Sequence, residues 1–106
     1  MSLLLAEALP EVARELAQLL EKEGHADLAV QVPRLAIRDR CRCGDAFCSM
    51  FYTAAPPSGA WGAGHENIAL EPENGMMILD VLNGKIMAVE LLYRDDVRGR
   101  LLDLLP

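Results

Sequence analysis

Three cysteines in the middle of the chain are the residues whose spacing is most specific for chemistry. They form the pattern Cys41-x-Cys43-x4-Cys48. If Gly44-Asp45 makes a two-residue hairpin turn, Cys41 and Cys43 share one face of a strand, and Cys48 lies opposite Cys41 on that face. The spacing therefore predicts that three sulfur atoms point into one small volume.

Such a cluster has three interpretations. Zinc takes four ligands, commonly thiolates and imidazoles, so His65 or His25 could complete a site made by Cys41, Cys43 and Cys48. However, C-x-C on one strand is not the usual spacing of zinc ligands, and free cysteines often pack as small hydrophobic residues. Redox or disulfide chemistry is the third interpretation, and a cytoplasmic setting disfavours a stable disulfide. Packed or merely accessible thiols are the preferred interpretation, and zinc is the first alternative.

An arginine-rich segment overlaps the cysteines. Four arginines lie within nine residues: Arg34, Arg38, Arg40 and Arg42. In the same register, the last three point away from the cysteines, towards the side where Phe47 and Phe51 of the next strand also point. Guanidinium groups over aromatic rings could bind an anionic ligand or an acidic partner. The preferred alternative is a solvated face on which the arginine stems cover the rings.

A loop rich in glycine and proline is predicted at residues 54–64, and it carries Trp61, the only tryptophan, with His65 at its exit. Long loops are often functional, and tryptophan is common at interaction hot spots. Alternatively, Trp61 folds back as a lid over the core. The candidate ligand or partner surface is thus Arg38, Arg40, Arg42, Phe47, Phe51, Trp61 and His65.

Catalytic patterns are weak in this chain. With a turn at Asn83-Gly84, residue 80 faces residue 87, so Asp80 and Glu90 are not opposed and no paired-carboxylate site is expected. There is no glycine-rich phosphate loop, and nothing in the sequence brings Cys48 and His65 together as a nucleophile and its base. We therefore do not expect an enzyme.

Hydrophobic periodicity predicts an α+β fold in a single domain over residues 1–106. An amphipathic helix runs from residue 9, with Pro10 in its first turn, to a stop at Gly24, and Ser2 could cap a short turn before it. The other predicted elements are a helical turn at 26–31, strands at 34–43, 47–53, 67–71, 76–82 and 85–93, and a closing helix after Asp95. The order is a helix, a mostly antiparallel sheet of four or five strands ending in a hairpin, and a short helix.

Composition limits the partners. The net charge is −6 and 52% of the residues are hydrophobic, which favours a packed core and argues against duplex DNA as the main partner. No apolar run approaches the length of a membrane span, and no basic residue precedes the first apolar stretch, as it would in a secretory signal. We therefore expect a cytoplasmic protein that does not bind membranes.

Two segments resemble parts of known bacterial sequences. Residues 75–92, GMMILDVLNGKIMAVELL, resemble the C-terminal hairpin of a family of small uncharacterised bacterial domains of unknown function. Residues 41–48, CRCGDAFC, with the following run Phe51-Tyr52-Thr53, look like a signature of other bacterial hypothetical proteins. The resemblance implies a fold outline and a bacterial origin, and it implies no activity.

Three functional hypotheses follow from the sequence. The preferred one is a small non-enzymatic interaction or accessory domain that self-associates as a homodimer, because strands 76–82 and 86–92 are apolar on both faces. An unknown protein partner is an alternative to the second copy. The other hypotheses are a metal-binding or thiol-based module centred on Cys41, Cys43 and Cys48, and a small ligand-binding domain or enzyme using His65, Trp61 and the arginine face. No cofactor is expected unless the cysteines bind zinc.

Overall fold

A computed structural model describes residues 3–106 of the chain. The helices are α1 (Leu5–Ala8), α2 (Pro10–Lys22), α3 (Ala26–Ala29), a 3-10 turn (Val32–Arg34) and α4 (Asp95–Leu104). The strands are β1 (Leu3–Leu4), β2 (Ala36–Ile37), β3 (Asp39–Arg40), β4 (Phe51–Tyr52), β5 (His65–Leu70), β6 (Met76–Leu82) and β7 (Lys85–Leu92). The predicted α+β class is confirmed.

The predicted first helix forms and is kinked at its start. Leu9 leaves the helical region with φ −134° and separates α1 from α2, and Pro10 occupies the first turn of α2, where it loses no intrahelical hydrogen bond. Gly24 adopts a φ of +87° after the helix end, as expected of a C-terminal stop. The predicted cap Ser2 lies outside the described residues.

The main sheet is antiparallel, with strand order β3-β4-β7-β6-β5, and β1 and β2 pair separately. One face of the main sheet packs against the helices. Its inward residues, including Phe51, Leu79, Val89 and Leu91, form one hydrophobic cluster with Leu16 of α2 and with α4. We call the opposite face, which carries Tyr52, Asn67, Ile78, Asp80, Ala88 and Glu90, the outer face.

The predicted β6–β7 hairpin is confirmed at its turn. Asn83 and Gly84 both have positive φ, 51° and 80°, as a type I′ turn requires. Leu82 pairs with Lys85 and Val81 with Ile86. The local sequence alone is enough to encode this turn.

The predicted long strand at 34–43 is wrong in its extent. The backbone leaves one sheet and enters the other within a few residues, since β2 pairs with β1 whereas β3 pairs with β4. A continuous ten-residue strand is incompatible with this change of partner.

Among residues 3–106, no helix is long and apolar enough to cross a membrane.

Candidate functional site

The three cysteine sulfur atoms come together at the edge of the main sheet. The sulfur atoms of Cys41, Cys43 and Cys48 all lie within 4.8 Å of one another. All three cysteines are free thiols. The predicted convergence of the sulfurs is therefore present, and three thiols lie close enough together to bind one metal ion.

The hairpin predicted to produce this convergence does not form as expected. The chain reverses over Asp45–Cys48, where the Cys48 amide donates to the Asp45 carbonyl at 3.2 Å, and Cys41 donates to the Met50 carbonyl at 2.8 Å. Cys48 itself pairs with Leu92 of β7. The returning segment is thus held by β7 at Cys48 and Ser49 and by Cys41 only at Met50, so Cys48 does not pair with Cys41 and the sulfurs meet inside a longer loop.

A small cavity lies beside the sulfurs, under α4. Its volume is about 20 Å³, and Arg40 and Arg98 line it together with the cysteines. A volume of this order holds a single water-sized guest. Three thiolates around a divalent ion carry a net negative charge, so the two arginines would favour a metal-bound state, whereas Asp45, which also lines the cavity, would oppose it.

The three thiols are electrostatically unequal. Burial is the largest cause that raises the pKa of Cys48 to about 12, and the neighbouring cysteines add to it. The exposed Cys43 has a lowered pKa because the Asp45 backbone amide donates to its sulfur and the other two thiols also donate. Cys43 is the exposed member of the cluster, and a metal ion would displace a proton from the half-buried Cys48.

His65, the predicted fourth ligand, is engaged elsewhere. Its Nε2 lies 2.9 Å from Oδ1 of Asp80, and the same oxygen accepts a 2.7 Å hydrogen bond from Asn67 Nδ2. Within residues 3–106, the metal-competent cluster consists of the three cysteines only. His65 instead belongs to a network on the outer face, where Asp80 is only 4% exposed.

Glu90 joins this network through a β-bulge that the sequence analysis missed. Asp80 pairs with Ala88 and Val81 with Ile86, so Met87 is the extra residue and the rest of β7 changes face. The amides of Thr53 and Ala54 both donate to the Met87 carbonyl, at 2.8 and 3.2 Å, and so hold the bulge in place. The available signal was a break in the alternation, since the inward residues run Ile86, Val89, Leu91 instead of every second residue.

The bulge brings two carboxyl groups into contact on the outer face. Burial, followed by a hydrogen bond with Asp80 and the charge of that residue, raises the pKa of Glu90 to about 7, and only His65 acts in the opposite direction. With a pKa of about 7, Glu90 is mostly protonated in mildly acidic solution, where it donates to Asp80. Asp80 and Glu90 are not directly opposed, as expected, since Asp80 pairs with Ala88 and Glu90 with Ile78; the bulge nevertheless places them diagonally on the same face, which a register without the bulge does not predict.

Two aromatic rings extend this network. The Trp61 ring lies 6.2 Å from the His65 ring and 6.3 Å from the Tyr52 ring, measured between centroids. Both neighbours are on the outer face, so Trp61 packs against that face from its loop. Burial raises the pKa of Tyr52, and the adjacent charges of Cys41 and Asp80 raise it further. Tyr52 and Asp80 both pair with Ala88, so they lie on the outer face with β7 between them.

The predicted arginine and aromatic residues do not share one surface. Arg40 donates through Nε to the Leu105 carbonyl, whereas Arg42 donates to the Pro106 carbonyl at 3.1 Å and to Asp39 at 3.0 Å. Arg38 lies beside a separate cleft. Phe51 is completely buried in the core, so its assignment to an exposed surface is corrected: its pairing with Val89 of β7 turns the ring towards the helices.

Phe47 is the predicted aromatic residue that does reach the surface. Its ring stacks on that of Tyr93 with centroids 5.5 Å apart and an interplanar angle of 26°. Tyr93 is 62% exposed and has a φ of +62°, an unusual conformation for a residue other than glycine. Phe47 precedes Cys48 in the chain, and the stacked pair forms an exposed aromatic patch.

Comparison of the chain with protein-family models, with curated proteins and with solved structures finds no match.

Proposed function

We propose that this protein is a thiolate metal-binding module that holds one soft metal ion, with zinc as the reference ion, through Cys41, Cys43 and Cys48. The observation that carries the proposal is the mutual approach of the three sulfur atoms to within 4.8 Å. Around a zinc ion with bonds of about 2.3 Å, ligand sulfurs lie roughly 3.8 Å apart, so only a small closure is needed.

The donor set fits the proposed ion. Thiolates select zinc and monovalent copper over the hard ions magnesium and calcium, which prefer oxygen. Three protein ligands leave a fourth coordination position, as in zinc sites where an exogenous ligand binds. Because Cys43 is exposed, that position faces the side from which a water molecule, a small ligand or a partner's side chain would approach.

Titration of the reduced protein with Co²⁺ and then Zn²⁺ tests the proposal. We expect one equivalent of Co²⁺ to produce sulfur-to-cobalt charge-transfer absorption, and Zn²⁺ to remove it. Cys41→Ser, Cys43→Ser and Cys48→Ser should each weaken metal binding by about 100-fold or more. Even substitutions of residues that only support the ligands reduce metal affinity by about 10- to 100-fold. The matched control is Met50→Leu, which removes the neighbouring thioether and should leave binding unchanged. Absence of the absorption in the reduced protein would reject the proposal.

A second candidate function is self-association, which the exposed Phe47–Tyr93 stack favours. A flat aromatic pair is costly to leave in water and typical of interfaces. Met76, at 47% exposure, and the unpaired edge of β5 add further surface for a second copy. The particle mass in solution tests this candidate, as described below.

A further inference from the structure

A separate cleft, whose lining contains no cysteine, concentrates positive charge. It has a volume of about 390 Å³ and lies between the segment that follows α3 and the start of β7. Arg34, Arg38 and Lys85 line it, and its wall contains no carboxylate. Because the net charge of the chain is −6, the composition alone does not lead us to expect three cations around a cleft without a carboxylate.

None of the three cations has an ion-pair partner among residues 3–106. In contrast, Arg94 makes two 3.0 Å contacts with Glu15. A cleft of similar size, about 430 Å³, lies beside that pair and is lined by glutamates as well as basic residues. Only the first cleft therefore presents cations without their counter-charges.

The frame of the cleft is fixed by hydrogen bonds between distant segments. The Gln31 side chain donates to the Gly84 carbonyl at 2.7 Å and accepts from the Ile86 amide at 3.0 Å, so it holds the residues on both sides of Lys85. The Arg38 amide donates to the Tyr52 carbonyl at 2.8 Å. These contacts place the backbone under the cations before any ligand arrives, which lowers the entropic cost of binding.

The cleft also has an apolar side. Val30 is 72% exposed at its rim, which is unusual for an aliphatic residue, and Leu35 and Ile86 form buried parts of its wall. The volume of the cleft falls within the usual range for small-molecule sites. Arginine binds carboxylate and phosphate groups through its planar guanidinium fork.

We propose that this cleft binds a small organic anion, a carboxylate or a phosphate monoester attached to a short apolar group, with Arg34, Arg38 and Lys85 contacting the anionic group and Val30 contacting the apolar one. Because the cations are exposed, the affinity falls as the salt concentration rises. The site is independent of the cysteine cluster.

Titration of the isotope-labelled protein with phenyl phosphate and, separately, with phenylacetate tests this site by amide NMR. We expect saturable shifts at Thr53, Lys85 and Ile86 with at least one probe, and the stronger probe identifies the anionic group. Inorganic phosphate should bind more weakly, because it cannot contact Val30.

The controls keep the test decisive. Arg34→Gln and Arg38→Gln should each weaken binding by about 2- to 5-fold, on the scale of one exposed ion pair. Arg14→Gln removes the same charge from the exposed face of α2 and should have no effect. Cys48→Ser should also leave this binding unchanged. If neither organic probe causes saturable shifts, or if all three arginine variants behave alike, the proposal is overturned.

Discussion

Asp80 organises the outer face at the scale of single residues, because three polar side chains converge on its buried carboxylate. Asn67 lies directly opposite it, whereas His65 and Glu90 approach from diagonal positions on the two neighbouring strands. A buried carboxylate is costly unless it is hydrogen-bonded, so these partners compensate for its burial. The carboxyl group with a raised pKa in this network is that of Glu90, and carboxyl groups with shifted pKa values also occur at functional sites.

The raised pKa of Glu90 makes stability depend on pH. The folded state holds its proton up to a pKa of about 7, against an ordinary value of 4.5, so unfolding releases that proton between these two pH values. The stabilisation that comes from the tighter binding of this proton in the folded state is present in full below pH 4.5. It decreases as the pH rises towards 7 and is lost above that value. Glu90→Gln, which mimics the protonated form, should therefore raise the melting temperature at pH 8 and change it little at pH 4.5.

Thermal melts of both proteins across this pH range check the expectation. Glu66→Gln, on the exposed part of β5, controls for the loss of one negative charge. If the melting temperature of Glu90→Gln at pH 8 equals or falls below that of the unsubstituted protein, the proton assigned to Glu90 is contradicted.

At the scale of elements, the turns show how much the local sequence determines. Asn83-Gly84 encodes its own turn, because both residues tolerate positive φ and alternating hydrophobic residues flank them. Gly44-Asp45 also resembles a hairpin turn, but the segment after it pairs with β7 at Leu92, and the Tyr93 amide, just after β7, donates to the Phe47 carbonyl at 2.8 Å. Partners distant in sequence also fix the Met87 bulge. The hairpin could thus be predicted from local residues, whereas the loop register and the Glu90 contact could not.

The cysteine cluster was predicted correctly although the register was not. Any tight reversal between residues 43 and 48 keeps the three side chains near one another, so their spacing carried the prediction independently of the pairing. In contrast, the predicted arginine and aromatic surface required the correct register, and for that reason its residues are dispersed.

Two glycines provide matched substitutions with opposite expected signs. Gly84 has a φ of +80°, so Gly84→Ala should destabilise the fold by about 1 kcal/mol or more. Gly99 lies in α4 with ordinary helical backbone and open space at its Cβ position, so Gly99→Ala should stabilise by about 0.5–1 kcal/mol. Urea denaturation of both variants measures these changes. If both variants change the free energy of unfolding in the same direction, either the turn or the helix assignment is contradicted.

At the scale of the whole molecule, the layer arrangement bears on self-association. Within residues 3–106, the helices contribute to one hydrophobic cluster on one face of the main sheet, and Trp61 packs on the other, so each chain buries much of the apolar surface that the sequence suggested a second copy must cover. The Phe47–Tyr93 stack, which is not covered in this way, is the surface through which we propose the homodimer forms.

Tyr93→Asn separates association from folding. Asparagine tolerates the left-handed conformation of residue 93 better than tyrosine does, so the variant should fold at least as stably while losing the exposed ring. By light scattering, the unsubstituted protein should have twice the mass of one 106-residue chain, and Tyr93→Asn should have the mass of one. Val30→Ser, which removes another exposed apolar side chain, should remain dimeric. A monomeric unsubstituted protein would refute the dimer.

Native mass spectrometry of the reduced protein, after addition of one equivalent of Zn²⁺ and removal of free metal, tests the metal-binding proposal most directly. The proposal predicts one zinc ion per chain, held with the three thiols protected from alkylation, and loss of both the metal and the protection in Cys48→Ser. A folded chain that retains no zinc and whose three cysteines are alkylated at the same rate with and without the metal would contradict it.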